Sequence, residues 1–600
     1  MSLLTLTNKF GALNNRAEPH IIGPNAAQAL SNVVLDSLGI VPQKTVGSTV
    51  ATGSGTARSL YKFNSTYIIS TEARQYVEYG GQLIYCVSGQ APKRSADGTT
   101  FYNLGIKAPQ IAAAAAAGAA GVLTGDFTYY VTFTNALGWE SGPSPAGTVT
   151  LAAQQGSLSA LATHLGTGSI TNGSPTVTAV TNISAYQVGM NIIGQDAAAA
   201  SAPAAGVGIP AGTTIISIDT GASTLTLSAN ATATTVGIRI TDPQYTGRNI
   251  YRTGGGSSST LLVTSLADMT TITYTDNTAI ASLGAPLTTL SFDVPPLLTC
   301  LDVSPYGVLA GAVGSTFYFA EEAKPWAWKA SSTLPFNETI VGVTATAAGF
   351  LVLTGVQPYL VLGTSGTTFR IVKVPSQQGC IGRDTIADMG DVGVFYLSPD
   401  GLCAFNGGGV DVISKGALSD AFMAGVSATN AKAVRYNERY ILFVQSGASF
   451  ASGGYLEWDS RTQGNWKVGT LTANAAAYSR ADDVLYVAQT ADVKAWEGGA
   501  AGSTSCSYQT GDWIDKAYSL LKHWRGAAVD HNGTVTATVY IDGVQVGSPQ
   551  TLVRTTLGRS FWRFPAGSRG RRISVKVAGT GTTWRVVEIL TDAGDVARRM

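Results

Sequence analysis

Along most of the chain apolar and polar residues alternate in short runs broken by glycine, and sustained helical periodicity is scarce. A period of two sends one set of side chains to a buried face and the other to water, which predicts strands. Phe127-Thr128-Tyr129-Tyr130-Val131-Thr132-Phe133 shows the pattern, and the segment from Asn135 through Gly138 to Pro143 closes it with a turn. Further strands are predicted over 214–219 and 223–228, with Thr220-Gly221-Ala222 as the turn between them, and over 534–541, followed by the hairpin pair Asp542-Gly543. Segments 572–577 and 584–586 form a second C-terminal pair. Two stretches read differently: residues 25–35 as a short helix, and the Ala/Gly run 108–125 as a linker or short packed helix.

At 600 residues the chain exceeds the roughly 250–300 residues a single core supports. Five regions follow. Residues 1–110 are an N-terminal segment with aromatic and β-branched strands over 61–85, some of which complete a propeller. Residues 111–155 and 238–296 form the two halves of a sandwich, with strands at 247–253 and 271–276, that resembles a fibronectin type III or immunoglobulin-like domain. Residues 156–237 are a β module inserted between those halves. Residues 297–499 carry glycine-punctuated strand groups spaced about 40 residues apart, the length of a four-stranded blade, and predict a β-propeller. Residues 500–600 predict a small β-sandwich or jelly roll. The fold class is mostly β and multidomain.

Composition agrees with that reading. Only 12% of residues are charged, against about 25% in an average soluble domain, and there are 70 glycines. Lys and Arg number 38 and Asp and Glu 37, so no net positive charge draws the chain to nucleic acid or an anionic membrane. Cys86, Cys300, Cys380, Cys403 and Cys506 are widely spaced and lack a C-x-x-C pair, so they read as reduced core residues. The opening ten residues have no basic and apolar signal pattern, and the alanine-rich run is too weakly hydrophobic for a membrane span.

Candidate chemistry is sparse. His20, His164, His523 and His531 are scattered and read as surface or capping residues; no nucleophile elbow or phosphate loop is present. Ser398-Pro399-Asp400-Gly401 superficially resembles the aspartate turn of sialidase propellers, but its glycine follows at once and no tryptophan does, which predicts a plain hairpin turn. Glu321 and Glu322 are adjacent and point to opposite faces of a strand, so they cannot flank one glycosidic bond. Trp326, Trp328, Trp458, Trp466 and Trp496 read as packing at blade ends rather than a sugar platform. Arg569, Arg571, Arg572, Arg598 and Arg599 form the clearest basic grouping and read as edge protection or a subunit contact. The sequons at Asn64 and Asn532 read as chance matches. No catalytic, cofactor-binding or metal-binding residue is assigned.

Three stretches resemble the tail nozzle, or packaged-DNA stabilisation, proteins of short-tailed bacteriophages. They are Phe10-Gly11-Ala12-Leu13-Asn14-Asn15 with 28–39 and 104–109; Phe317-Tyr318-Phe319-Ala320-Glu321-Glu322-Ala323-Lys324-Pro325-Trp326-Ala327-Trp328; and Gly379-Cys380-Ile381-Gly382-Arg383 with 392–402 and 412–414. The insert has no counterpart among them. The resemblance implies a non-enzymatic virion tail protein, made and assembled in the host cytoplasm. Its partners would be further copies in a hexameric ring, portal and adaptor proteins above, and tail fibres or spikes. Double-stranded DNA would be retained and then conducted without sequence-specific binding. The competing expectation is a glycan-binding or depolymerising tail adhesin.

Overall fold

A computed structural model describes residues 2–6, 13–14, 16, 27–36, 39–196, 207–462, 465–499, 505–514, 521–580 and 584–591. Strands occupy 54% of the chain and helices 4%, which makes the protein mostly β and multidomain. Two compact units divide it: Met1–Ala73, Leu353–Pro358 and Lys373–Met600 form the first, and Arg74–Val352 with Tyr359–Val372 the second.

Six four-stranded antiparallel sheets recur among the described residues, each a blade of β-propeller type. Sheets 387–412 and 432–469 belong to the first unit and are built from strands consecutive in sequence. In Arg439–Val444 every residue is buried, the mark of a strand covered on both faces. A third sheet takes Ala475–Ser479, Val484–Gln489 and Asp492–Ala495 and borrows its fourth strand, Thr49–Thr52, from far upstream. Val493 pairs with Ala51 and Asp492 with Thr52, whose hydroxyl donates to the Asp492 carboxylate at 2.9 Å. The hairpin Ser59–Phe63 and Thr66–Ser70 packs Leu60 and Tyr67 against Ala477 and Tyr486 of that sheet.

The 11-stranded sheet at the C-terminal end was not foreseen in its extent. Lys522–Ile541 is its spine, and the strand pairs with Gln550–Arg563 on one side and with Ile573–Thr580 and Trp584–Thr591 on the other. Asp542 and Gly543 take the left-handed φ values of 51° and 81° that a two-residue hairpin requires, and Val544–Gln545 follows. The N-terminal strands Ala27–Ser31 and Val33–Asp36 join the same sheet, the former against Ser505–Thr510. The predicted helix over 25–35 is therefore incorrect at every described position. Hydrogen-bond partners almost five hundred residues away outweigh the helical preference of Ala-Gln-Ala-Leu.

In the second unit, Gln75–Tyr79, Gln82–Cys86, Lys93–Ser95 and Tyr102–Asn103 form one blade, and sheets 300–335 and 340–373 two more, the last shared in part with the first unit's residues. The sandwich sheet runs Ser257–Leu266, Tyr245–Gly254, Ala114–Asn135, Gly147–Ser159, Tyr274–Asp276. Phe127, Tyr129, Val131 and Phe133 are buried on alternate positions of its longest strand. That strand begins inside the alanine-rich run, so residues 114–125 are neither linker nor helix. Ala114–Ala117 pair in register with Ser159–Gly156, and a Cβ on Gly121 would lie 2.5 Å from the Asn277 carboxamide oxygen and 2.7 Å from Gln155. Close approach to Asn277 and Gln155 needs a residue with no side chain there. The insert folds as two three-stranded sheets, one of them pairing Ile215–Asp219 with Thr224–Leu227.

Candidate functional site

The most site-like feature of the first unit collects single residues from the leading ends of blade strands. Arg58 directly precedes Ser59–Phe63, Asp384 sits in the short turn Arg383–Thr385 before Ala387–Asp388, Lys432 opens Lys432–Tyr436, and Asn474 directly precedes Ala475–Ser479. With Asn430 and Gln445 they line a cavity of about 460 Å3. Local turns aim them: the Thr385 hydroxyl donates to the Gly382 carbonyl at 2.6 Å, Asn430 takes a left-handed φ of 56°, and the Thr490 amide donates to the Asn474 side chain at 2.9 Å.

Lys432 Nζ donates to Asp384 Oδ2 at 2.5 Å and Arg383 Nε to Oδ1 at 3.2 Å. Burial acts to raise the Asp384 carboxyl, but Lys432 and Arg383 outweigh it and hold the group below the usual carboxylate range. The Lys432 ammonium is pushed down by burial, with Arg383 and Arg58 adding to the effect and Asp384 opposing it. Arg58 donates to Asn430 Oδ1 at 2.8 Å. Two cations thus contact one carboxylate, and Arg58 acts on Lys432 from nearby. Two-carboxylate glycoside hydrolysis needs an acid and a second group that acts as base or nucleophile. This cavity's lining supplies only Asp384, already ion-paired.

A second polar cluster lies in the second unit and is sealed. Asp242 is 1% exposed; Asn103 Nδ2 donates to its Oδ2 at 2.6 Å and Gln244 Nε2 at 3.1 Å. Lys93 donates to Asn103 Oδ1 at 2.9 Å and Arg94 to Gln244 Oε1 at 3.1 Å, so amides stand between the cations and the acid. Burial raises the Asp242 carboxyl against those hydrogen bonds. The Arg94 guanidinium also stacks 4.7 Å from the Trp139 ring, which lies 4.6 Å from Trp326 in a parallel stack.

The remaining sequence candidates distribute as follows. Trp328, Trp466 and Trp496 are buried, Trp496 between Phe443 and Tyr455, and Trp458 is half-buried against Phe395. Glu321 ends Thr316–Glu321 and pairs with Lys329 at 2.7 Å, while Glu322 occupies the turn rather than a strand. Ser398 and Gly401 flank a hairpin turn. All five cysteines are buried free thiols. His531 corrects the surface reading: it is fully buried in Lys522–Ile541 and hydrogen-bonded to Ser560 Oγ at 2.8 Å. His164 is half-buried, and burial with Arg239 nearby lowers it to about 4. His20, Arg598 and Arg599 lie outside the described residues. Arg572 pairs with Asp512 at 3.3 Å, and Arg569 and Arg571 are exposed.

Residues 500–600 hold thirteen Lys and Arg against seven Asp and Glu, a basic bias hidden by the balanced total. The outer edge of Gln550–Arg563 has no strand partner among the described residues, and Val553, Leu557 and Phe561 are exposed on it. Beside it, His523, Arg525, Arg563 and Phe564 line a cavity of about 440 Å3. No helix is long and apolar enough to cross a membrane among the described residues.

No protein-family model matches the chain, and no curated protein does. Among solved structures, an exo-β-1,3-galactanase from Phanerochaete chrysosporium is similar at 6% identity and a TM-score of 0.17, covering 89% of this chain and 99% of the enzyme. The extracellular domain of a one-component system from B. thetaiotaomicron is similar at 9% identity and a TM-score of 0.21, covering 97% and 89%. A family 43 arabinoxylan arabinofuranohydrolase from Bacillus subtilis reaches 10% identity and 0.14, covering 90% and 96%. Likeness at this level assigns neither family nor activity.

Proposed function

We propose that this chain is a structural virion protein, the tail nozzle of a short-tailed bacteriophage, which forms a ring below the portal and adaptor, retains and then conducts DNA, and carries tail fibres. The observation that carries the reading is the hairpin of Ala114–Asn135 with Gly147–Ser159. Its leading half, residues 114–122, presents exposed Ala and Val with half-buried Gly, a surface that can pack against another chain without stripping water from charge. The nozzle-like stretches support it as well. Phe317 to Trp328 runs from one blade strand through a two-residue turn into the next, and Arg383 ties its segment to the Ala73 carbonyl at 3.0 Å. A neutral chain suits a conduit, since each phosphate neutralised would have to be released again as DNA moves.

Ring assembly requires two different faces on each copy. Mass measurement of the purified protein, alone and mixed with its portal and adaptor, is expected to show a closed oligomer. A strictly monomeric species in both conditions would overturn the reading. The alternative, a glycan-binding or depolymerising adhesin, draws on the cavity around Lys432; depolymerisation would need a second carboxylate beside Asp384.

A further inference from the structure

The cavity beside Lys432 has three properties that together select a ligand. Its volume, about 460 Å3, lies within the roughly 300–1,000 Å3 of small-molecule sites. Its charge is unbalanced by one, with Arg58 and Lys432 in its lining against the single carboxylate of Asp384. Its remaining wall is uncharged, made of Thr56, Ala57, Asn430, Gln445 and Asn474, with no aromatic ring.

We propose that this cavity binds an acidic sugar of the hexuronic acid class, with the sugar carboxylate against Arg58 and Lys432 and its hydroxyls against the surrounding amides. A neutral sugar would leave the cation excess unanswered. A nucleotide would find no ring on which to stack its base and no glycine-rich loop to cradle its phosphates. A simple carboxylic acid would satisfy the cations and leave the rest of the cavity to water. Arg58 is the main specificity residue: it is exposed, its one side-chain hydrogen bond among the described residues is to Asn430, and a guanidinium fork matches a carboxylate with two parallel donors. Lys432 gains more than Arg58 from the ligand, because burial and two neighbouring guanidinium groups disfavour its charge and a second anion offsets them. Asp384 sets the upper limit on affinity, since it repels the incoming carboxylate. The inference holds whether or not the chain assembles into a ring.

Calorimetric titration of the full chain with D-glucuronate, D-glucose, acetate and inorganic phosphate tests it. Saturable binding of glucuronate is expected, with the other three at least about 10-fold weaker, the loss of one charge-assisted hydrogen bond or of the hydroxyl contacts. Arg58→Ala, at an exposed position that folding does not depend on, is expected to weaken glucuronate about 10- to 100-fold, and Asp384→Asn to tighten it severalfold. Glucose binding as well as glucuronate, or phosphate binding more tightly, would overturn the assignment. So would glucuronate affinity unmoved by Arg58→Ala, or no saturable binding of any probe. A chain that stays monomeric both alone and with portal and adaptor, yet still binds glucuronate through Arg58, would sink the nozzle reading and leave this one standing.

Discussion

Two clusters of similar composition behave in opposite ways. Around Asp384 the cations touch the carboxylate directly and overcome its burial, and the group is held in its charged form beside an open cavity. Around Asp242 the amides of Asn103 and Gln244 intervene, and burial wins. The difference shows that the number of charged residues does not identify a binding site. What matters is whether the acid meets its cations directly and whether water or a ligand can reach them.

The comparison can be broken most forcefully at a neighbouring sealed pair. Arg252 and Asp276, both fully buried, form an ion pair that also receives the Tyr129 hydroxyl at 2.8 Å. Arg252→Met removes the cation that faces the buried Asp276, and urea denaturation is expected to show a loss of about 3–5 kcal/mol.

His164 comes next. Its folded-state value of about 4 lies below the ordinary 6.5, so the stability it protects is present above pH 6.5 and is lost as pH falls through about 4. His164→Gln is expected to flatten that part of a stability-versus-pH curve, by up to about 3 kcal/mol at the acid end. A curve of unchanged slope would show that the ring is solvated.

The two aspartates then give slopes of opposite sign. Asp384, lowered, supports the fold above about pH 4 and loses that support as pH falls. Asp242, raised, favours the fold most below about pH 4, and its contribution declines as pH rises toward its folded value. Asp384→Asn should remove part of the acid-side loss, and Asp242→Asn part of the decline at higher pH, as read from urea denaturation across the pH range. Matching slopes in the two variants would erase the distinction between open and sealed. The smallest effect is expected from Arg58→Ala, whose denaturation midpoint should stay within about 0.5 kcal/mol of the parent because the side chain is exposed.

Strands with one wet face were legible in the sequence because their side chains alternate, as in Phe127 to Phe133 and in the buried set Val535, Ala537, Val539 and Ile541. The alanine-rich strand was not, since alanine carries no face preference and favours helix when read alone; only its ladder with Gly147–Ser159 decides. Residues 27–31 failed for the same reason, with partners supplied from the far end of the chain, while 33–36 pair locally with Gly39–Pro42. The cavity was invisible because Arg58, Asp384, Lys432 and Asn474 each come from a different segment, the last three more than 40 residues apart and Arg58 more than 300 from any of them.

The borrowed strand Thr49–Thr52 also sets a timetable for biogenesis. It leaves the ribosome early, yet its partner Asp492–Ala495 is translated some 440 residues later, on the order of 20–90 s at elongation rates of about 5–20 residues per second. Throughout that interval the nascent polypeptide carries an orphan strand, and a prematurely terminated product keeps it permanently. Completion of the blade thus acts as a check that synthesis has passed residue 495.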